Sequence, residues 1–145
     1  MLDLEAVVNQ WFALAHTRDF PSLRGMYTTD ATYVRANSTS NGHDEIVEYL
    51  AGLKTSFPDH DACIDAIVVA PDAATVEWTE TGSHTTPYDT GAAGVIAPTG
   101  KSFDAKIVDI FRFEGDRIKS QHEYFDRLGL LSQLGWIEIR YIKGS

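Results

Sequence analysis

Two acids in the C-terminal third of the chain occupy positions suited to proton chemistry. Between residues 103 and 113 every second residue (Phe103, Ala105, Ile107, Asp109, Phe111 and Phe113) falls on one face of an extended segment, and Asp109 alone on that face is polar. A carboxyl group held among phenylalanines loses hydration, which favours its neutral form and raises its pKa. Such a group is either paired structurally or kept for proton transfer. The next segment, Arg117 to Asp126, brings Gln121 and Glu123 to the same face if the hairpin closes through a three-residue turn at Glu114-Gly115-Asp116. Asp109 then faces Gln121, and Glu123 is its diagonal neighbour at roughly 7 Å or less. Two carboxyls this close in an apolar pocket do not both ionise cheaply. One pKa rises toward neutrality, the condition for general acid–base catalysis at pH 7. A two-residue turn would instead set Asp109 opposite His122 and turn Glu123 outward, because a one-residue slip exchanges the faces.

Other polar and aromatic residues are candidates for substrate contact. Trp78, Glu80, Gly82 and His84 share one face of a strand, so Trp78 and His84 could line a pocket mouth. Tyr33 could donate to a substrate oxygen or be a core tyrosine with its hydroxyl at the edge. Gln121 and Phe111 share the Asp109 face. His122 is a further candidate, or an exposed or dimer-contact residue. Asp126 either extends the acidic site or caps a terminal helical turn. His16 and His60 read as surface residues. The five histidines show no His-x-His or His-Glu-x-x-His spacing, so no metal site is expected. GVIAPTGKS, residues 94–102, comes close to a phosphate-binding loop, but Val95 stands where that motif needs glycine and a strand follows where it needs a helix.

The elements that must position these residues can be read from periodicity. Leu4, Val7, Val8, Trp11, Leu14 and Ala15 form an apolar stripe on a helix over residues 3–17, with Asp3 as its cap. Asp19 caps a short second helix from Phe20 to Tyr27, with Pro21 in its first turn. A short strand from Ala31 to Arg35 and a turn-rich stretch from Asn37 to Gly42 lead to a third helix, Asp44 to Thr55. Strands follow over Ala62–Val69, Thr75–His84, Phe103–Phe113 and Arg117–Asp126. Residues 85–100 hold five Gly and Pro residues and read as a loop or wide hairpin. Leu128 to Leu134 reads as a closing helical turn. Helices first and a meander of strands after them imply one α+β domain, with three N-terminal helices on a curved, mostly antiparallel sheet.

Composition narrows the partners. The 145 residues carry a net charge of −9, from 12 basic and 21 acidic side chains. That argues against nucleic acid, which is held largely by Lys and Arg, and against anionic membrane surfaces. Apolar residues make up 43% of the chain, yet no run nears the roughly 20 needed to span a bilayer. The N-terminal MLDLEAVVNQWF lacks a basic n-region, so no signal peptide and a cytoplasmic location are expected. The single cysteine, Cys63, alternates with apolar neighbours and reads as a buried structural thiol.

Several motifs taken in order resemble a known family. Pro98-Thr99-Gly100-Lys101, IVDIFRF (Ile107 to Phe113), Glu114-Gly115-Asp116-Arg117-Ile118, Glu123-Tyr124-Phe125-Asp126 and Gln133-Leu134-Gly135 resemble the SnoaL-like polyketide cyclases. MYTTDATY and Gly42-His43-Asp44-Glu45-Ile46 fit the same pattern nearer the N-terminus. The resemblance implies the cone-shaped nuclear-transport-factor-2-like fold shared with ketosteroid isomerases, pairing into a homodimer through the outer sheet face, and a chemistry with no metal and no cofactor. It implies ring closure by intramolecular aldol condensation, with an aspartate on the last strand moving protons and a histidine on the preceding strand assisting. Aligned on the hairpin, those positions fall on Glu123 and Asp109, and both depart from the family pattern. The expected function is a cofactor-independent acid–base enzyme, a cyclase or isomerase, acting on a hydrophobic polyketide- or terpenoid-like molecule. Glu123 is the expected general acid–base and Asp109 its partner. Tyr33, Trp78, His84 and Gln121 are expected to orient the substrate. A non-catalytic binding domain of the same fold, and an epoxide hydrolase drawing on Arg35, are the alternatives.

Overall fold

The computed structural model describes residues 2–144. Helix α1, Leu4–Thr17, starts where the Asp3 carboxylate accepts the Ala6 N–H at 3.0 Å, satisfying one of the amides that a helix start leaves open. Its stripe of Leu4, Val8, Trp11 and Phe12 is buried. Arg18 ends the helix in the left-handed conformation, and Asp19 then caps α2, Phe20–Gly25. The second helix is shorter than its sequence suggests. Tyr27 belongs instead to β1, Tyr27–Val34, which begins four residues before the expected Ala31. The residues from Asn37 onward are more than a turn, since Thr39–Asn41 form β2, antiparallel to β1. Helix α3 spans His43–Ser56 and buries Ile46, Leu50 and Lys54.

Strands β3, Asp61–Ala70, and β4, Ala73–Ser83, form one hairpin. The glycine-rich stretch after them carries a two-stranded hairpin of its own, β5 at Tyr88–Asp89 and β6 at Val95–Ile96. Strands β7, Ser102–Glu114, and β8, Arg117–Phe125, follow, and α4, Arg127–Gln133, closes the set. The main sheet runs β2-β1-β8-β7-β4-β3. Every pairing in it is antiparallel except β1 with β8, so the curved sheet is mixed.

Burial alternates along β4 and β7, which places one face of each strand inward. That face meets α1 to α3 in a core that includes Val8, Trp11, Leu23, Tyr27, Ile46, Val76 and Phe111. A smaller cluster, Phe57, Phe103 and Leu134, sits toward α4. Gly82 makes room for it, since a Cβ there would lie 2.8 Å from the Phe103 ring. Cys63 is exposed, not buried, because it falls on the outer side of the β3 alternation.

The β7–β8 hairpin departs from the expected register in a way that matters for the site. Glu114 pairs with Arg117, so the loop has two residues, Gly115 and Asp116, with Gly115 at φ 62°. A uniform ladder from that loop would put Asp109 opposite His122. Instead the register shifts between Arg112 and Phe113, where Phe113 pairs with Ile118 but Arg112 with Ser120, leaving Lys119 as a bulge. The extra residue carries Asp109 past Gln121 and His122 to stand directly opposite Glu123.

Candidate active site

A cavity of about 560 Å³ opens between the inner sheet face and the helices. That volume suits a small organic ligand. Trp11, Phe12, Leu53, Phe57, Trp78, Phe103, Leu130 and Trp136 supply much of an apolar wall. Among the acids of β7 and β8, Glu123 reaches this wall and Asp109 lies behind it, fully buried.

The Glu123 carboxylate accepts the Tyr33 hydroxyl at 2.5 Å. Burial drives the Glu123 pKa up to about 7. The Tyr33 hydrogen bond opposes that rise, the charge of Glu80 adds to it, and Arg35 reduces it. The Arg35 guanidinium lies 3.6 Å from the Tyr49 ring centroid and 4.7 Å from that of Tyr33, and bonds Ser40 and Ser38 from the side. Tyr33 is thus held between a cation and an acid.

Asp109 terminates a directed chain of hydrogen bonds. The Trp11 indole N–H donates to the Tyr27 hydroxyl at 2.8 Å, Tyr27 donates to Gln121 Oε1 at 2.6 Å, and Gln121 Nε2 donates to Asp109 Oδ2 at 2.7 Å. Each donor is spent on the next acceptor, so Oδ2 stays an acceptor and the carboxyl proton belongs on Oδ1. Asp109 Oδ1 and the Trp78 indole nitrogen have no hydrogen-bond partner among the described residues. Burial raises the Asp109 pKa well above the ordinary range, and the Glu123 charge opposite raises it further. The Gln121 hydrogen bond acts the other way. Burial thus favours the neutral form of Asp109, behind a Glu123 whose pKa lies near 7.

The remaining sequence candidates separate by face. Trp78 lines the cavity and packs edge-on against Phe12 at 5.5 Å. Gln121 is fully buried and acts on Asp109, without lining the cavity. Phe111 sits in the core with its ring 5.6 Å from Trp11 and does not line the cavity either. His84 is fully buried and outside the lining. Its Nδ1 accepts from the Trp136 indole and the Thr99 amide, both at 3.1 Å, so it braces Trp136, which does line the cavity. His122 pairs with Ile110 and Val34 on the opposite sheet face from Glu123. Asp126 is exposed and caps α4 by accepting the Gly129 amide at 2.9 Å.

One polar group in the cavity was not anticipated from the sequence. His60 is buried, contrary to the surface position its sequence suggests, and its Nε2 lies 2.5 Å from Glu80 while Lys54 Nζ approaches its Nδ1 at 2.8 Å. All three side chains line the cavity. The available signal was Glu80, an acid on the same strand face as Trp78 and as telling as Asp109 among phenylalanines. Among the described residues no three His, Cys, Asp or Glu side chains are grouped to hold a metal ion. No helix among them is long and apolar enough to cross a membrane.

The fold recurs in proteins of known structure. A SnoaL-like polyketide cyclase of proposed function from a Jannaschia species shares 18% identity with the chain, covering 92% of each, at a TM-score of 0.79. TsrD of Streptomyces laurentii shares 21% identity over 94% of this chain and 100% of its own, also at 0.79. IdmH of Streptomyces antibioticus, a proposed polyketide cyclase, shares 19% over 90% and 97%, at 0.76. No curated protein sequence matches the chain. The family model of the SnoaL-like polyketide cyclases matches residues 5–134, so nearly the whole of α1 through α4 carries its pattern, and the chain belongs to the SnoaL-like polyketide cyclase family.

Proposed function

We propose that the chain is a cofactor-independent acid–base enzyme that cyclises or isomerises a hydrophobic polyketide- or terpenoid-like molecule through an enol or enolate. The observation that carries this is Glu123, an acid on the wall of an apolar cavity whose pKa lies near 7. A base is most effective when its pKa sits near the working pH. In its ionised form Glu123 takes a proton from the carbon next to a substrate carbonyl, leaving an enolate. The enolate carbon then bonds to an electrophilic carbon of the same molecule, and the oxygen that gains the electron pair takes the proton back from Glu123. In an isomerisation, Glu123 returns the proton to a different carbon. Asp109 gives no atom to the cavity. Its neutral carboxyl keeps a second negative charge away from Glu123.

The site's groups favour this reading over epoxide hydrolysis. Arg35, the extra group that reaction would need, is committed to Tyr33, Tyr49, Ser38 and Ser40 and does not line the cavity. A homodimer through the outer sheet face belongs to the same proposal. Val108, Ile110, His122 and Tyr124 adjoin on that face by the β7–β8 register, and Tyr124 is 59% exposed.

The test is proton exchange. Wild-type chain and Glu123→Gln are incubated in deuterated water with a panel of aryl β-keto esters, and deuterium uptake and ring closure are read by mass spectrometry. Turnover that falls at least about 100-fold in Glu123→Gln supports the proposal. Equal turnover in both removes Glu123 from the chemistry and overturns the proposal, and no turnover with ligand binding intact moves the chain to the non-catalytic binding reading.

A further inference from the structure

Lys54, His60 and Glu80 form a buried polar line on the cavity wall that the acid–base chemistry of Glu123 does not use. Its protonation pattern follows from donor and acceptor types. An ammonium only donates, so His60 Nδ1 must accept from Lys54 at 2.8 Å. A carboxylate only accepts, so His60 Nε2 must carry the proton and donate to Glu80 at 2.5 Å. Lys54 also donates to the His60 carbonyl at 3.2 Å. Two of its three N–H donors are therefore spent on one residue, and among the described residues Lys54 makes no direct ion pair. Glu80 reaches it only through the imidazole. A cation in an apolar wall with a donor to spare is costly unless an anion completes it.

The line is also set off from Glu123 along the sheet. Glu80 pairs with Ala105, four residues from Asp109 on β7, which is about 13 Å of strand at 3.3–3.4 Å per residue. The cavity wall thus carries an acid–base group at one level of the sheet and a cation at another, with Trp78 between them on β4 and the Glu80 charge still felt at Glu123.

We propose that Lys54 is the anion-binding pole of the cavity, held in place by His60 and Glu80, and that the substrate is an apolar molecule bearing a carboxylate or similarly anionic oxygen that meets Lys54 while its reacting carbon meets Glu123. The proposal rests on the reading of this cavity as the substrate site and adds the charge and orientation of what enters it. In a chain of net charge −9 an anionic ligand is repelled at long range, so a local cation is what its admission requires. Burial also lowers the Lys54 pKa and Arg18 adds to this, while the charges of Asp61 and Glu80, which line the same cavity, oppose it.

The probes are anthraquinone-2-carboxylate and its neutral carboxamide, compared by calorimetric titration. Wild type is expected to bind the carboxylate at least tenfold more tightly. Lys54→Met is expected to erase that preference while leaving carboxamide affinity unchanged, and Glu123→Gln to keep it. Because Lys54→Met could disturb the fold, the same titrations are followed by NMR in the wild type, where the Lys54 side-chain signal should move with the carboxylate and stay still with the carboxamide. Equal affinities in wild type, or a preference that survives Lys54→Met, overturns the anion pole and leaves the cavity reading intact. Failure of both probes to bind overturns both.

Discussion

Asp109 and Glu123 stand directly opposite one another across the β7–β8 ladder, yet only Glu123 touches the cavity. The two acids are consequently unequal. Asp109 feels the Glu123 charge as a leading cause of its raised pKa, after burial. Glu123 owes its value first to its own burial. Carboxyl NMR titrations should show this asymmetry. Glu123→Gln lowers the Asp109 pKa while leaving it above the ordinary range, and Asp109→Asn leaves Glu123 close to 7. A large downward move of Glu123 in Asp109→Asn would mean that the two share their proton equally.

The raised Glu123 pKa also makes folding depend on pH. Folded, the group holds its proton up to about 7, whereas its ordinary value is 4.5. Between those values the native chain binds more protons than the unfolded chain, so stability falls as pH rises. The contribution is fully present below pH 4.5 and lost as pH climbs through 7, on the order of 3 kcal/mol in all. Asp109 acts in the same direction. Urea unfolding of wild type and Glu123→Gln across pH 4.5 to 8 should give a shallower decline for the variant. Parallel curves would show that Glu123 titrates normally.

Tyr33 sets the working value of the acid. Its hydroxyl bonds the ionised form of Glu123 and so holds the pKa below what burial alone would give. Tyr33→Phe should raise the Glu123 pKa further and shift any pH–rate profile the same way, with a stability cost of about 1 kcal/mol for the lost hydrogen bond. An unmoved profile would show that Tyr33 acts only as packing.

The outer sheet face gives a separate prediction. Light scattering of the purified chain should report a dimer, and Tyr124→Glu, which places charge amid Val108, Ile110 and His122, should yield monomers with the Glu123 pKa unchanged. A monomeric wild type would remove the dimer from the proposal.

Sequence patterning located much of this structure because one-face burial leaves a period. Asp3 and Asp19 were legible as caps, Asp109 as the acid among phenylalanines, and the order of helices then strands as the architecture. What stayed hidden came from contacts between distant segments. Nothing local marks Lys54 and His60 as meeting Glu80 from another element, or Tyr27 as a relay to Gln121 from a chain position that reads as helix. His84 and Phe111 have the right parity but lie too deep to reach the cavity, and parity carries no information on depth.

The hairpin shows how a correct neighbour can arise from an incorrect turn. A three-residue loop and a two-residue loop with one bulge both bring Glu123 to the Asp109 face, because each adds one residue relative to the plain two-residue hairpin. Lys119, the residue left over, restores the parity that the short loop would otherwise break. Deleting Lys119 would let Ser120 follow Ile118 in an unbroken ladder. The pairs Arg112–Ser120, Phe111–Gln121 and Asp109–Glu123 would then form without a bulge. The shortened chain should therefore fold and keep a Glu123 that titrates near 7, whereas a two-residue deletion taking Lys119 and Ser120 should expel Glu123 from the cavity and return its pKa to the ordinary range. If the single deletion alone turns Glu123 outward, the bulge is required for more than its count of residues, and its local twist must be what aims the acid into the cavity.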